Sequence, residues 1–447
     1  MKPPLCFILM PFGTKPNADG SLINFDRVYE DLIVPAVKDA ELEPLRADQE
    51  TTGGIIHKPM FERLLLCPFA VADLTTANAN VYYELGVRHA FKPFSTVQMI
   101  AEGSRLPFDV QMLRTIPYKL GADGAPDRAQ AAATTAAIAT FLKQARTGAQ
   151  DSPIFQLLDG LSVPNVEHLK TDVFRDQVEY CLQAKNKLAA ARRSPQKADA
   201  VRDVQKDLGD IGDLDAGVAI DLMLSYRAVS AWDDMIQLIQ QFSAPLAQTV
   251  MVREQLGMAL NRLKRRDEAE QVLLKLMEER GPSSETCGIL GRVYKDHWED
   301  AVKSGNALLA KGYLDKAIKV YLQGFEADWR DAYPGINAIT LMELRNPPDE
   351  RRKEIIPVVR YAVQRKIAKG KPDYWDYATL LELAVIAGDE EMAVQALGDA
   401  LANVREKWEP ETTARNVRLI RETRQARGAP TPFEGDVEKA LLQAAGL

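Results

Sequence analysis

The sequence is poor in cysteine and histidine. Cys6, Cys67, Cys181 and Cys287 are scattered without CxxC spacing, and Cys6 and Cys67 fall inside apolar runs. Buried, reduced thiols are therefore expected, not a disulfide framework. The four histidines, His57, His89, His168 and His297, stand far apart, so no metal site is readable. No run of about 18 apolar residues occurs, which excludes a transmembrane helix. Leu5–Met10 is too short for a signal-peptide core and ends in Pro11-Phe12-Gly13. A cytoplasmic protein without a membrane partner is expected. Basic blocks are also missing, and the net charge is -7. That argues against a surface built to neutralise the phosphates of a nucleic-acid polymer.

The chain has 447 residues, 46% hydrophobic and 27% charged. This is too long for one ordinary core, and two or three domains are expected. Near the start, short apolar runs alternate with amphipathic stretches. Leu5–Met10, Glu43–Arg46, Phe69–Asp73 and Thr96–Ile100 read as strands. Residues from about Asn24, Ile55–Leu66 and Asn80–Phe91 read as helices, with Pro35 kinking or shortening the first. Thr14–Ser21 is rich in turn residues and reads as a loop. Such alternation predicts a flavodoxin-like parallel sheet of four or five strands with helices on both faces. Leu106–Asp109 and Ile116–Tyr118 close this α/β domain, assigned to residues 1–148. An Ala-rich helix over Ala129–Ala145 completes it, and Thr147–Pro153 is the expected linker.

Residues 152–447 read as an all-α region of tetratricopeptide-like (TPR-like) repeats. Leu256-Gly257 recurs 34 residues later as Leu290-Gly291, and Leu260 as Tyr294. Ala269 and Leu273 fit the second helix of the same unit, where small residues let two helices approach closely. Gly312 with Ala317, and Gly388 with Ala393, repeat a turn-plus-small-residue feature. An insertion is expected near His297–Asn306, and three to five helix pairs are counted.

The chemistry gathers in Phe69–Ala90, where a buried strand ends in Asp73 and a helix opens at Asn80, read as its N-cap. Glu84 then lies one turn in, beside the carboxyl edge of the sheet, where open α/β proteins bind ligands. The string Asp73-Leu74-Thr75, Asn78, Asn80–Gly86 resembles the signature of the nucleoside 2-deoxyribosyltransferase-like and TIR-like superfamily, over roughly the first 120 residues. That resemblance implies cleavage of an N-glycosidic bond in a nucleoside, nucleotide or NAD-like substrate. No cofactor is implied. Glu84 would be the catalytic carboxylate, stabilising or capturing the positive charge that builds on the sugar. Its plain alternative is a surface i,i+4 pair with Arg88. Asp73 is the second catalytic candidate; it can position a ribose hydroxyl or cap its own loop through the Thr75 and Thr76 amides. Pro11, Phe12 and Gly13 follow the first strand, where Phe12 can stack on a base and Gly13 allows close backbone approach. Arg46 and Asp48 end the second strand and border the pocket by resemblance. Asn78 and Asn80 can bond ligand or cap the helix, and Asp109 and Tyr118 can wall the pocket. His89 reads as structural before catalytic. No GxGxxG or P-loop motif follows the first strand, so neither a Rossmann nor a P-loop nucleotide site is expected.

A second resemblance lies in Gly324-Phe325-Glu326, Asp328–Asp331 and Tyr333–Asn337. These look like the TRAF-binding, tetratricopeptide-like regulatory domain of apoptosis signal-regulating kinases. A kinase itself is not readable, since no Gly-rich loop, VAIK, HRD or DFG motif is present. The resemblance implies protein partners. Trp329 and Tyr333–Asn337 then form either a partner groove or, by Pro-Gly turn chemistry, a turn between repeats. A homo-oligomer, most simply a dimer, is expected from the superfamily. Together these features imply a regulated N-glycosidase or a non-catalytic nucleotide-sensing scaffold that binds protein partners.

Overall fold

The computed structural model describes residues 3–17, 20–46, 57–107, 110, 114–146, 148, 151–158, 169–370 and 372–447. The chain divides into two compact units, Met1–Ser225 and Tyr226–Leu447.

The first unit is built on a sheet. Its strands are β1 (Leu5–Leu9), β4 (Glu43–Arg46), β5 (Phe69–Asp73), β6 (Thr96–Ala101) and β7 (Thr115–Tyr118), in spatial order β4-β1-β5-β6-β7. All four pairings are parallel. This is the flavodoxin-like order, with its switch point between β1 and β5. Strand periodicity explains why β1 is apolar throughout. Cys6, Ile8 and Met10 face one core and Leu5, Phe7 and Leu9 the other. Val28, Ile33, Val37 and Leu142 cover the first face, and Leu64, Val81 and Leu85 the second. Pro117 is tolerated in β7 because β7 is an edge strand.

Two local readings change. The loop expected over Thr14–Ser21 contains strand β2 (Thr14–Pro16), paired antiparallel with β3 (Leu22–Asn24). The first helix is segmented as α1 (Phe25–Val28), a π-helical turn at Tyr29–Ile33, and α2 (Val34–Asp39). Pro35 begins the last segment; it has no N–H to give to the preceding turn, and the widened turn accommodates it. Helices α3 (His57–Leu66), α4 (Ala79–Phe91) and α5 (Arg128–Ala145) complete the sandwich.

The segment expected as a linker is anchored to this unit. Asp151 Oδ2 accepts from the Thr96 amide at 2.7 Å, the Asp151 amide donates to Pro93 O at 3.0 Å, and Ser152 Oγ donates to His89 O at 2.7 Å. Helix α6 (Pro153–Leu157) follows at once. Helices α7 (Leu169–Ala191), α8 (Lys197–Leu208) and most of α9 (Ala216–Ala228) also group with the sheet.

Past α10 (Trp232–Gln240) and α11 (Ala244–Ala247), the second unit is a run of five helix pairs. They are α12/α13 (Val250–Arg262, Arg266–Arg280), α14/α15 (Ser284–Lys303, Ala307–Ala327), α16/α17 (Ala332–Glu343, Arg352–Lys369), α18/α19 (Tyr374–Ala387, Glu390–Ala402) and α20/α21 (Trp408–Ala426, Glu434–Ala445). Glycine sets the close approach within pairs. A Cβ on Gly257 would sit 2.7 Å from Leu273, and one on Gly291 2.7 Å from the Tyr321 ring. The extra residues near 297–306 lengthen α14 and α15 rather than forming a separate insertion. Gly312 lies inside α15, not at a turn, whereas Gly388 ends α18 in the left-handed conformation, φ 72°. Among the described residues no strand occurs beyond β7, and no helix is long and apolar enough to cross a membrane.

Candidate functional site

Parallel pairing brings most of the expected site residues to one edge. Leu9 pairs with Ala72, so Pro11–Gly13 and Asp73–Thr75 leave neighbouring strands at the switch point. Asp73 is sealed in. Its Oδ1 accepts from the Thr75 amide at 3.0 Å and Thr75 Oγ1 at 2.5 Å, and its Oδ2 accepts from the Tyr118 hydroxyl at 2.9 Å. Thr75 Oγ1 also accepts from the Ala101 amide at 3.0 Å. This network ties β5, β6 and β7 together. Burial pushes the Asp73 carboxyl up to about 6, against the pull of the Thr75 and Tyr118 hydrogen bonds.

Arg46 and the loop after β1 form a second cluster. Arg46 Nη2 meets Asp26 Oδ1 at 2.6 Å, and the same oxygen accepts from the Gly13 amide at 3.2 Å. The Arg46 guanidinium lies 5.0 Å from the Phe12 ring centre and 4.8 Å from that of Tyr29. Two rings thus flank the cation. Gly13 holds a φ of 64°, which suits glycine. Pro11 is buried beside it.

Helix α4 is capped by Asn78, not Asn80. Asn78 Oδ1 accepts from the Asn80 and Val81 amides at 2.9 and 3.3 Å, and the Asn80 side chain is exposed. Glu84 is half-buried, and among the described residues no donor or cation meets it. Burial alone pushes its carboxyl up to about 7. The surface pair with Arg88 does not form. Arg88 is fully buried and donates to Leu64 O at 2.8 Å, Cys67 O at 2.7 Å and Pro68 O at 3.1 Å. It pins α4 to the turn before β5. His89 is structural too: burial, reinforced by Arg88, holds it down to about 4, and its ring nitrogen meets Gln98 Nε2 at 3.1 Å. Asp48 and Asp109 lie outside the described residues.

The second unit holds a site that no single motif announces. A cavity of 590 Å³ is lined chiefly by the first helices of four successive pairs, together with Asp328, Arg330 and Asp331 before α16 and Lys366 of α17. Arg292 and Lys295 come from α14, Tyr333 and Asn337 from α16, Trp375 and Thr379 from α18, and Arg415 and Asn416 from α20. Pro334-Gly335 is not a turn between repeats. Both residues sit in the first turns of α16, where a proline is tolerated, and a Cβ on Gly335 would lie 2.5 Å from Val359. The Tyr333–Asn337 string therefore supplies one wall of the cavity. Aromatic side chains at Tyr333 and Trp375 give such a recess apolar contact area, and its charged rim gives orientation.

The model of the MAP3K TRAFs-binding domain matches residues 81–438. The chain belongs to this family. The match begins in the first turn of α4, so it takes in the later sheet strands as well as the helix pairs. A mitogen-activated protein kinase kinase kinase of Caenorhabditis elegans, nsy-1, is 30% identical over 44% of this chain and 14% of its own length. Mitogen-activated protein kinase kinase kinase 6 of Homo sapiens is 26% identical over 71% of this chain and 26% of its own. The chain thus spans about a quarter or less of these relatives. Among solved structures, a TPR protein of Thermus thermophilus covers 45% of this chain at 15% identity, with a TM-score of 0.35 and 99% of its own chain covered. A tetratricopeptide repeat protein of Parabacteroides merdae covers 61% at 10% identity, TM-score 0.33, with 100% of its own chain covered.

Proposed function

We propose that the chain is a regulatory scaffold that holds a protein partner in the cavity of its second unit and senses a nucleotide-like ligand at its sheet edge. The observation that carries the reading is the 590 Å³ cavity assembled by four consecutive helix pairs, in a chain of the MAP3K TRAFs-binding domain family. Repeat arrays use such surfaces, built from equivalent faces of successive units, to bind extended partners. The test is photo-crosslinking in the producing cell, with a benzophenone side chain at Tyr333. A discrete protein adduct is expected, and Thr379→Trp, which fills the cavity from its half-buried wall, should remove it. A Tyr333 position that yields no protein adduct would overturn the reading.

A second reading is favoured by Glu84. A half-buried carboxylate that meets no partner among the described residues, held at about 7, suits stabilisation of positive charge on a sugar. On this reading the first unit cleaves an N-glycosidic bond in a nucleoside, nucleotide or NAD-like substrate, and the helical unit regulates it. Asp73 then acts as a support, since both of its oxygens are engaged. Incubation with a nucleoside, nucleotide and NAD panel, with free base followed by chromatography, decides between sensing and turnover.

A further inference from the structure

Packing of α13 on α14 brings His297 against two carboxylates from earlier in the chain, Asp267 and Glu270. The two acids stand one turn apart on α13 and share a face. His297 Nε2 lies 3.7 Å from Asp267 Oδ1, and one ligand atom from each of the three residues falls within 4.8 Å of the other two. At 3.7 Å no hydrogen bond forms, and Nε2 is buried with no hydrogen-bond partner among the described residues. The same spacing is close to that around a shared ion. Bonds of about 2.0–2.2 Å at the tetrahedral angle set neighbouring ligand atoms roughly 3.3–3.6 Å apart. Asp267 is exposed, so its carboxylate can close the remaining gap by rotating its own side chain.

The imidazole is held in this direction. Its ring stacks on Tyr313, with centres 4.4 Å apart and planes 3° apart. Burial lowers its pKa from the ordinary 6.5, so at neutral pH it is uncharged and one ring nitrogen keeps a lone pair. The charged groups nearest the ring are Asp267, Arg266, Glu270 and Asp300. Arg266 pairs with Asp300, Lys316 meets Glu270 Oε1 at 3.0 Å, and Arg265 meets Glu268 at 2.7 Å. Asp267 is left without a Lys or Arg partner among the described residues. Lys316 also lies 4.9 Å from the Tyr294 ring centre and 5.5 Å from that of Tyr313, so ring faces retain it when Glu270 turns to an ion. One imidazole with two carboxylates suits Zn²⁺ and its transition-metal neighbours, whereas Mg²⁺ and Ca²⁺ take oxygen ligands.

We propose that Asp267, Glu270 and His297 bind a divalent transition-metal ion of the Zn²⁺ class, and that the ion clamps α13 to α14, fixing the first helix pair on the second. The test titrates the chelator-treated full chain with Zn²⁺ by calorimetry and follows its melting temperature. One Zn²⁺ should bind per chain in the presence of excess Mg²⁺ and Ca²⁺, and the melting temperature should rise. His297→Phe keeps a ring to stack on Tyr313 and removes the nitrogen, and Asp267→Ala alters an exposed side chain. Each should weaken Zn²⁺ binding by about tenfold or more and lose the thermal shift. Glu268→Gln, the adjacent acid outside the set, should keep both. Co²⁺ supplies a spectroscopic check: its visible absorbance band should appear with the wild type and be lost in His297→Phe. Asp267→Ala carries the test alone should His297→Phe misfold. Absence of Zn²⁺ binding, or wild-type affinity in either folded variant, which would mark an adventitious ion only, would overturn the proposal.

Discussion

The Tyr118 hydroxyl donates to Asp73 Oδ2 at 2.9 Å, joining the last strand of the sheet to the central one. The bond lies at the carboxyl edge of the sheet and holds Asp73, an expected site carboxylate, as a buried strut.

The strut has a pH signature. The Asp73 carboxyl titrates at about 6 in the folded chain against an ordinary 3.8. The native state therefore binds more protons than the unfolded state between these values, and this group's contribution to stability falls as pH rises from 4 to 6. Asp73→Asn has no such dependence. The advantage of the wild type over Asp73→Asn should shrink by on the order of 2 kcal/mol between pH 4 and pH 7, read from denaturant midpoints. His89, held down to about 4, acts in the opposite direction in both proteins and cancels in the difference.

Arg88 sets a second expectation. Its donors satisfy three carbonyls in the interior. Arg88→Ala should destabilise the first unit by roughly 3 kcal/mol or more, because it leaves buried acceptors unmet. Arg88→Lys should not rescue it, since one ammonium cannot reproduce the fork. Glu84→Ala should cost far less, as Glu84 has no partner to lose among the described residues. Thermal melts that rank Glu84→Ala and Arg88→Ala equally would contradict this.

Two glycines on neighbouring helices should respond with opposite sign. Gly291→Ala forces a Cβ to 2.7 Å from the Tyr321 ring, and overpacking of this kind costs about 1–3 kcal/mol. Gly312 is mid-helix with open space around it, so Gly312→Ala should stabilise by about 0.5–1 kcal/mol. Melting temperatures of the two variants check both directions.

Much of this was legible from residues 5 to 101. Fully buried parallel strands announce themselves as apolar runs, and β4 and β5 match their expected bounds. The 34-residue period marked the first two helix pairs, which repeat the same close contact, at Gly257 and at Gly291. Other features leave no such trace. The β2–β3 ribbon has three-residue strands, with β2 exposed throughout, so neither hydrophobic run nor alternation marks it. Arg88 looks like a surface partner of Glu84 because helical spacing alone does not show that its side chain turns inward. Asn78 caps α4 two residues before the expected cap, since either asparagine has the right chemistry and the backbone decides. The cavity was the least legible. Its walls come from residues 292 to 416, brought together only by stacking of four pairs. The Tyr333–Asn337 string was a visible part of it, and Lys295 was not.

If Glu84 does take part in turnover, Glu84→Gln should lower free-base release by on the order of 10²-fold, the scale seen when a main electrostatic stabiliser is lost. Release should also rise with pH through about 7 as the carboxyl ionises. Undiminished release from Glu84→Gln, or a flat profile, would leave the sheet edge as a sensor.

On the proposed function, the repeat cavity and not the sheet edge holds the protein partner. The most direct measurement is isothermal titration of the partner recovered by the Tyr333 crosslink against three purified chains: wild type, Thr379→Trp and Glu84→Gln. At least a tenfold loss of affinity is expected for Thr379→Trp, and wild-type affinity for Glu84→Gln. Unchanged affinity in Thr379→Trp, or a loss confined to Glu84→Gln, would contradict it.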